Sequence, residues 1–512
     1  MPESVRQRLA KALERVHAAA VRGIVRSADM NRADRELLQR HGYLVDIVKG
    51  WYFLAKPTTA VGESTAWYAN YWTFLSVYLE NRFGEDYCLS AASSLDVHLG
   101  VSMIPHQVVA MSGHGGKTLL DLPHDTSLLA YEERGGISWD VDVVTGLRVM
   151  PLALVLCRLP ETFFHQRRAD AEIALRSLIS ITELVRLLLS GGSVAAAQRL
   201  SGAFRYMGDL EAADEIMDAM KSAGYVCRPV NPFMDHAPLL RQASGRGLSP
   251  YAARISALFR SMQEPVEREI ASIQQNTELP ETYLHHMDDV YVHDAYHSLS
   301  IEGYEVTPEL IQRIRAGEWD PEHNPGDVRE RNAMAARGYL EAFLAVKETL
   351  SDILAGQPPV EAIRRDYGVW YRALFSASVQ AGILEAHHLA GFRNGPVYIW
   401  GSRHVPLPPT AVADAINTFF THLAELSNPS VRAVLGHFVF TFIHPYMDGN
   451  GRMARFLMNA MMASGGHPWT IIRVERRKDY MAALEAASCE GNITPFTRFI
   501  LEESAVDWGS TA

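Results

Sequence analysis

The chain has 512 residues, 48% of them hydrophobic and 21% charged, with a net charge of −11. That length exceeds what one hydrophobic core serves, so two to four domains are expected, and the ordinary composition excludes a disordered or fibrous chain. Four scattered cysteines, Cys88, Cys157, Cys227 and Cys489, form no CxxC pair, which argues against a disulfide or zinc framework and fits reduced thiols in a cytoplasmic protein.

The N-terminus shows no apolar signal region, and the densest apolar run, VMPLALVLC from Val149, is too short to span a bilayer, so no membrane partner is expected. Residues 1–57 hold eleven Lys or Arg against six Asp or Glu, or +5, leaving −16 for the rest. Leu9–Ile24 is Ala-rich and predicts a helix. Asp29 or Asn31 can cap a second one, Arg32–Arg40, which Gly42 would end. Tyr43–Val48 and Trp51–Leu54 are β-rich runs around a Lys49-Gly50 turn. This order predicts a winged-helix-like domain over 1–57, with Arg32, Arg35, Gln39 and Arg40 on the candidate recognition helix. DNA is the candidate partner; packing of the same face on a neighbour is the alternative.

Residues 58–235 read as a mixed α/β domain, strand-like up to about 160. Within it, SGHGGKT is no P-loop, because Met111 stands where the first glycine before Gly116 is needed; a hairpin tip is expected. Helices are predicted over Ala169–Ser190 and Val194–Gly224, separated by Gly191-Gly192. NPF at Asn231 and RQASGRGLSP mark a join, with a linker and connecting helix over 236–270. HGYLVDIVKGWYFL and SAGYVCRPVNPF together resemble transcriptional regulators of the AbiEi antitoxin class, which implies DNA binding.

From 271 to 512 the chain reads as helical. In HSLSIEGYEV, Ser298 and Glu302 are four apart on one helix face near 290–303, and Gly303 is placed to end that helix. His285, His286, His293 and His297 precede it, but no HExxH pattern forms, so solvated or interface histidines are expected rather than a metal site. Val397–Trp400 and His404–Leu407 predict two β-like arms around Gly401-Ser402-Arg403.

The chemistry concentrates in HPYMDGNGRMAR, His444–Arg455, a loop between two apolar helical stretches. Backbone N–H groups at a helix start are unpaired and lie at the positive end of the dipole, which suits phosphate. Gly449 and Gly451 let the backbone curl around an anion, and Asn450 can add a donor. Arg452 and Arg455, three apart, supply fixed charge. Asp448 offers the hard oxygen a phosphate-bridging Mg²⁺ wants, and His444 is the group that can take a proton near neutral pH.

These residues resemble the Fic family motif HxFx[D/E]GNGRxxR, departing only at Tyr446, which keeps an aromatic ring. The resemblance covers roughly residues 275–505 and implies AMP transfer from ATP, with Mg²⁺, to a hydroxyl of a target protein or of the chain itself. It makes His444 the base, Asp448 the Mg²⁺ ligand, Gly449, Asn450 and Gly451 the anion hole, and Arg452 and Arg455 the phosphate ligands. The family's phosphotransferase branch carries lysine where Gly451 stands, which disfavours kinase-like activity. Val397, Tyr398, Ile399 and Trp400 would belong to a flap that docks an extended target segment. SLSIEG satisfies the family's inhibitory motif [S/T]xxxE[G/N], so Ser298, Glu302 and Gly303 imply a brake acting on Arg455; the same glutamate could instead position water for AMP removal. The expected fold class is therefore multidomain: a winged-helix-like head, a mixed α/β region and an all-α Fic domain with a β-hairpin flap. A DNA-binding regulator with the Fic domain as a sensor is the rival reading, and self-association is left open.

Overall fold

A computed structural model describes residues 4–55, 65–100, 102–133, 139–142, 145–233, 237–240, 247–271, 280–318 and 331–508. The expected boundaries at 57/58 and 235/236, and RQASGR at 241–246, lie outside the described residues. The chain divides into two compact units: Met1–Ala253 with Tyr398–Val405, and Arg254–Val397 with Pro406–Ala512.

The first unit opens with α1 (Val5–Ala19), started by a capping box in which Ser4 and Gln7 exchange side chain-to-backbone hydrogen bonds. The expected helix to Ile24 stops short, because the chain turns extended at Ala20 and Ile24 enters β1 (Ile24–Arg26). Next, α2 (Arg32–Arg40) starts where Asn31 Oδ1 accepts from Asp34 N at 2.8 Å. β2 (Leu44–Val48) and β3 (Trp51–Leu54) follow, in an antiparallel sheet of order β1-β3-β2. Gly50, at φ +85°, makes the turn between them.

The next stretch departs from expectation. Residues Thr65–Phe83 form a helix, α3, not strands; its many β-prone aromatics are buried by a core including Ile104, Val108 and Leu128, so packing overrides propensity. β4 (Tyr87–Leu89), α4 (Ala91–His98), β5 (Gln107–Ser112), β6 (Thr118–Leu122) and β7 (Thr126–Glu132) follow, with sheet order β4-β5-β7-β6. SGHGGKT is therefore no hairpin tip: it joins β5 to β6, which flank β7, and β5 pairs with β7 in parallel. A two-stranded ribbon, β8 (Asp140–Val141) and β9 (Arg148–Val149), precedes α5 (Leu152–Arg158), α6 (Glu161–Gln166) and α7 (Arg168–Ser177). Then come α8 (Ile181–Gly191), α9 (Val194–Tyr206) and α10 (Leu210–Ser222). Each of the two long helices expected here is broken once, at Leu178–Ser180 and at Met207–Asp209, and Ser180 and Asp209 cap the pieces that follow.

α11 (Pro250–Ile270) leads into the second unit, whose described residues form helices and no strands. These are α12 (Pro280–Ile301), α13 (Pro308–Arg315), α14 (Arg331–Leu354), α15 (Pro359–Gln380), α16 (Val412–Glu425), α17 (Pro429–Ile443), α18 (Asn450–Ala463), α19 (Arg477–Glu490) and α20 (Thr494–Ser504). α17 and α18 are nearly all buried, so the loop between them is held from both ends. The β-hairpin flap does not form. A turn closes at Ser402 N to Ile399 O (3.1 Å), Pro396, Pro406, Pro408 and Pro409 lack N–H donors, and the second arm bonds elsewhere. Val405 N donates to Ser102 O at 2.8 Å and His404 bridges Met103 in antiparallel fashion, both inside the first unit.

Candidate active site

Asn428 caps α17 through bonds from Ser430 N and Val431 N, and Pro429 fits its first turn. The helix stops at His444, which adopts φ +54°, an uncommon left-handed conformation for a residue with a side chain. His444 Nδ1 lies 3.3 Å from the Thr441 carbonyl; since a carbonyl only accepts, that bond puts the proton on Nδ1 and the basic lone pair on Nε2. Tyr446 is buried and stacks on Tyr371 with centroids 3.7 Å apart and planes at 7°. Asn450 closes the loop by exchanging two bonds with the Tyr446 backbone, each 2.9 Å. The oxygen and one N–H of its carboxamide are thus used within the loop.

Gly449, at φ +83°, caps α18, and the first backbone N–H bonded into that helix is Met453, to Gly449 O at 3.0 Å. The amides of Asn450, Gly451 and Arg452 are the orphan donors that make a helix start attractive to an anion. Asp448 Oδ1 accepts from Gly449 N at 2.6 Å and faces Arg452 Nη2 at 3.4 Å, with the side chain 59% exposed. A single exposed carboxylate beside a helix N-terminus fits a Mg²⁺ that takes its other ligands from phosphate and water.

The two arginines are buried. Arg455 Nε donates to Ser298 Oγ at 2.8 Å, and Nη2 to Ser298 O at 3.1 Å and to Glu302 Oε1 at 2.6 Å, while Nη1 is buried without a partner. Burial alone would raise the Glu302 pKa, but Arg455 and Arg452 outweigh it and hold the carboxyl below its usual range. Gly451 is part of this arrangement, because a Cβ there would collide with Glu302 Oε1. Arg452 is flanked by aromatic rings, its guanidinium carbon 5.1 Å from the Phe375 centroid and 5.3 Å from that of Tyr304. Gly303, at φ +82°, ends α12 as expected.

Residues not singled out in the sequence complete the site. Arg393, 4% exposed, donates from Nε to His444 O at 2.7 Å and from Nη2 to Leu407 O, and its own N–H reaches Pro445 O. It ties the His444 backbone to Leu407. Asp294, one turn before Ser298 on α12, is buried and accepts from Tyr339 OH at 2.7 Å; burial pushes its pKa up to about 6. The four-residue spacing Asp294, Ser298, Glu302 was the available signal for it.

Val397, Tyr398 and Ile399 are half-buried and Trp400 is 67% exposed, with Tyr398 OH bonded to Ala69 O. Arg32 pairs with Glu36 at 2.6 Å, Arg35 is half-buried and Arg40 exposed; all three lie in the first unit, apart from this loop's unit. Arg40 also lines, with Arg8, Lys11 and Arg15, a cavity of about 410 Å³. His293 and His297 pack against Trp508, and no metal-ligating group of three forms among the described residues.

Residues 370–462 match the Fic/DOC family. The chain is 32% identical over 220 residues to Protein adenylyltransferase Fic of Nematostella vectensis, covering 41% of this chain and 46% of that protein. It is 33% identical over 225 residues to Protein adenylyltransferase Fic of Aedes aegypti, covering 42% and 40%. Among solved structures it is similar to Caenorhabditis elegans Fic-1 (residues 134–508), with 19% identity, a TM-score of 0.37, and coverage of 63% and 96%. The chain spans less than half the length of the two relatives from Nematostella and Aedes. With the His444–Arg455 loop inside the matched segment, the chain carries a Fic/DOC-family domain.

Proposed function

We propose that the chain is a protein adenylyltransferase that moves AMP from Mg-ATP to a Ser, Thr or Tyr hydroxyl of a target protein or of itself, and that Glu302 restrains it. The observation that carries this reading is the buried Arg455–Glu302 pair at the start of α18, where a carboxylate stands in for a phosphate oxygen. The orphan amides of α18 would bind the triphosphate, with Arg452 and Arg455 on its oxygens. His444 Nε2 would take the acceptor's proton as the hydroxyl oxygen attacks the α-phosphorus and the bond to pyrophosphate breaks. Asp448 would hold Mg²⁺, which supplies charge neutralisation on the phosphates. The name of the relatives, protein adenylyltransferase, supports the same reaction.

A bias of about 2.7 kcal/mol toward the Glu302-bound state leaves roughly 1% of molecules competent, so releasing it raises activity up to ~100-fold. Intact mass measured after incubation with Mg-ATP tests this. Glu302→Gly should gain AMP-sized increments faster than wild type, and adding His444→Ala should abolish them. Absence of any AMP-sized increment in Glu302→Gly would sink the reading.

A DNA-binding head is a second part of the proposal. Its support is the element order α1, β1, α2, β2, β3 with the β1-β3-β2 sheet, which suits a winged helix. The free cysteines support a cytoplasmic setting.

A further inference from the structure

Gly303 ends α12 in a Schellman turn: Tyr304 N donates to Leu299 O at 3.1 Å and Gly303 N to Ser300 O at 3.0 Å. The positive φ of Gly303 reverses the chain, so Glu302 and Tyr304 are presented by the same cap. Glu302 meets Arg455. Tyr304 meets Arg452, whose guanidinium carbon lies 5.3 Å from its ring centroid, with Phe375 at 5.1 Å completing an aromatic slot. Arg331, at the start of α14, also lies over the Tyr304 ring at 5.1 Å. The slot is dry: Arg452 is 1% exposed and its Nε is buried without a hydrogen-bond partner.

A guanidinium desolvated against a π face is held more strongly than one in water. The pairing of Arg452 with Asp448, whose side chain is 59% exposed, is long, with Nη2 3.4 Å from Oδ1. We propose that Tyr304 is the second half of the restraint, keeping Arg452 in its slot while Glu302 keeps Arg455, so that both phosphate-binding arginines are released together when the α12 cap moves. This deepens the reading of Glu302 as a brake and rests on it. The Glu302 carboxylate hydrogen-bonds Arg455, and the Tyr304 ring lies against Arg452 beside its long pair with Asp448.

The test measures the initial rate of AMP incorporation from α-phosphate-labelled ATP into the full chain. Tyr304→Ala should incorporate roughly five- to thirty-fold faster than wild type, the range expected for losing one desolvated cation–π contact. Tyr304→Phe keeps the π face and should stay as slow as wild type. Tyr304→Leu, which fills the space without a π face, should follow the alanine variant and guards against a folding defect in it. In a Glu302→Gly background, Tyr304→Ala should add little, because the cap is already released. Fast Glu302→Gly with slow Tyr304→Ala and Tyr304→Leu would overturn the Tyr304 proposal alone. So would a Tyr304→Phe rate matching alanine, or a double variant more than tenfold slower than Glu302→Gly. A Glu302→Gly protein no faster than wild type would overturn the brake and this proposal with it.

Discussion

Removing the Glu302 carboxylate leaves the Arg455 guanidinium, 3% exposed, without its anion. A stranded buried charge is expensive, so the released site should take up a phosphate oxygen in its place. Asp294 adds a second buried charge to the same helix face. Between its ordinary pKa of 3.8 and about 6, the folded protein holds a proton that the unfolded chain has lost, so stability falls as pH rises through that window. Asp294→Asn keeps an acceptor for Tyr339 and removes this dependence. Thermal unfolding of the variant should match wild type near pH 4 and exceed it at pH 8 by roughly 3 kcal/mol; equal curves at both pH values would refute the assignment. His444, Asp448, Arg452 and Arg455 could be singled out from the sequence because they sit within one loop. Arg393 was not, since its bond to His444 O spans 51 residues and nothing local marks it.

Close approach between helices sets the framework around the loop. Gly338 of α14 faces the backbone of α15, where an added Cβ would collide with Leu374 O. Gly338→Ala should therefore lower stability by about 1–3 kcal/mol. Gly368, inside α15, has only the end of Arg372 within 4 Å, at 3.5 Å, so Gly368→Ala should stabilise by about 0.5–1 kcal/mol through the backbone. Melting curves of the two variants should move in opposite directions; a shared direction would contradict this packing. Capped elements such as α2 were readable from sequence to the residue. α3 was not, because its aromatics are equally at home in strands and only burial against β5 and β7 selects the helix. The flap failed as a hairpin for a similar reason: its second arm finds partners in Ser102 and Met103, far away in sequence.

For the whole molecule, charge is the feature that separates the head from the rest. Residues 1–57 carry +5 within a chain of −11, which favours a polyanion at that end alone. If Arg32, Arg35 and Arg40 each neutralise one phosphate, the affinity of the full chain for duplex DNA should fall with salt at a log–log slope of about −3. Replacing all three by alanine should remove the gel shift, whereas His444→Ala should leave it intact. A triple variant that binds as wild type does would exclude this face. No described helix is long and apolar enough to cross a membrane.

The sequence by itself determined which groups the His444–Arg455 loop and the motif Ser298–Gly303 bring together, because they are neighbours along the chain or along one helix face. Only the tertiary structure decided what those groups touch: that Arg455 is paired with Glu302, that Arg452 lies between Tyr304 and Phe375, and that Asn450 bonds the Tyr446 backbone. The reason is physical. Side-chain type fixes which bonds a residue can form, but burial and the approach of distant elements choose among them.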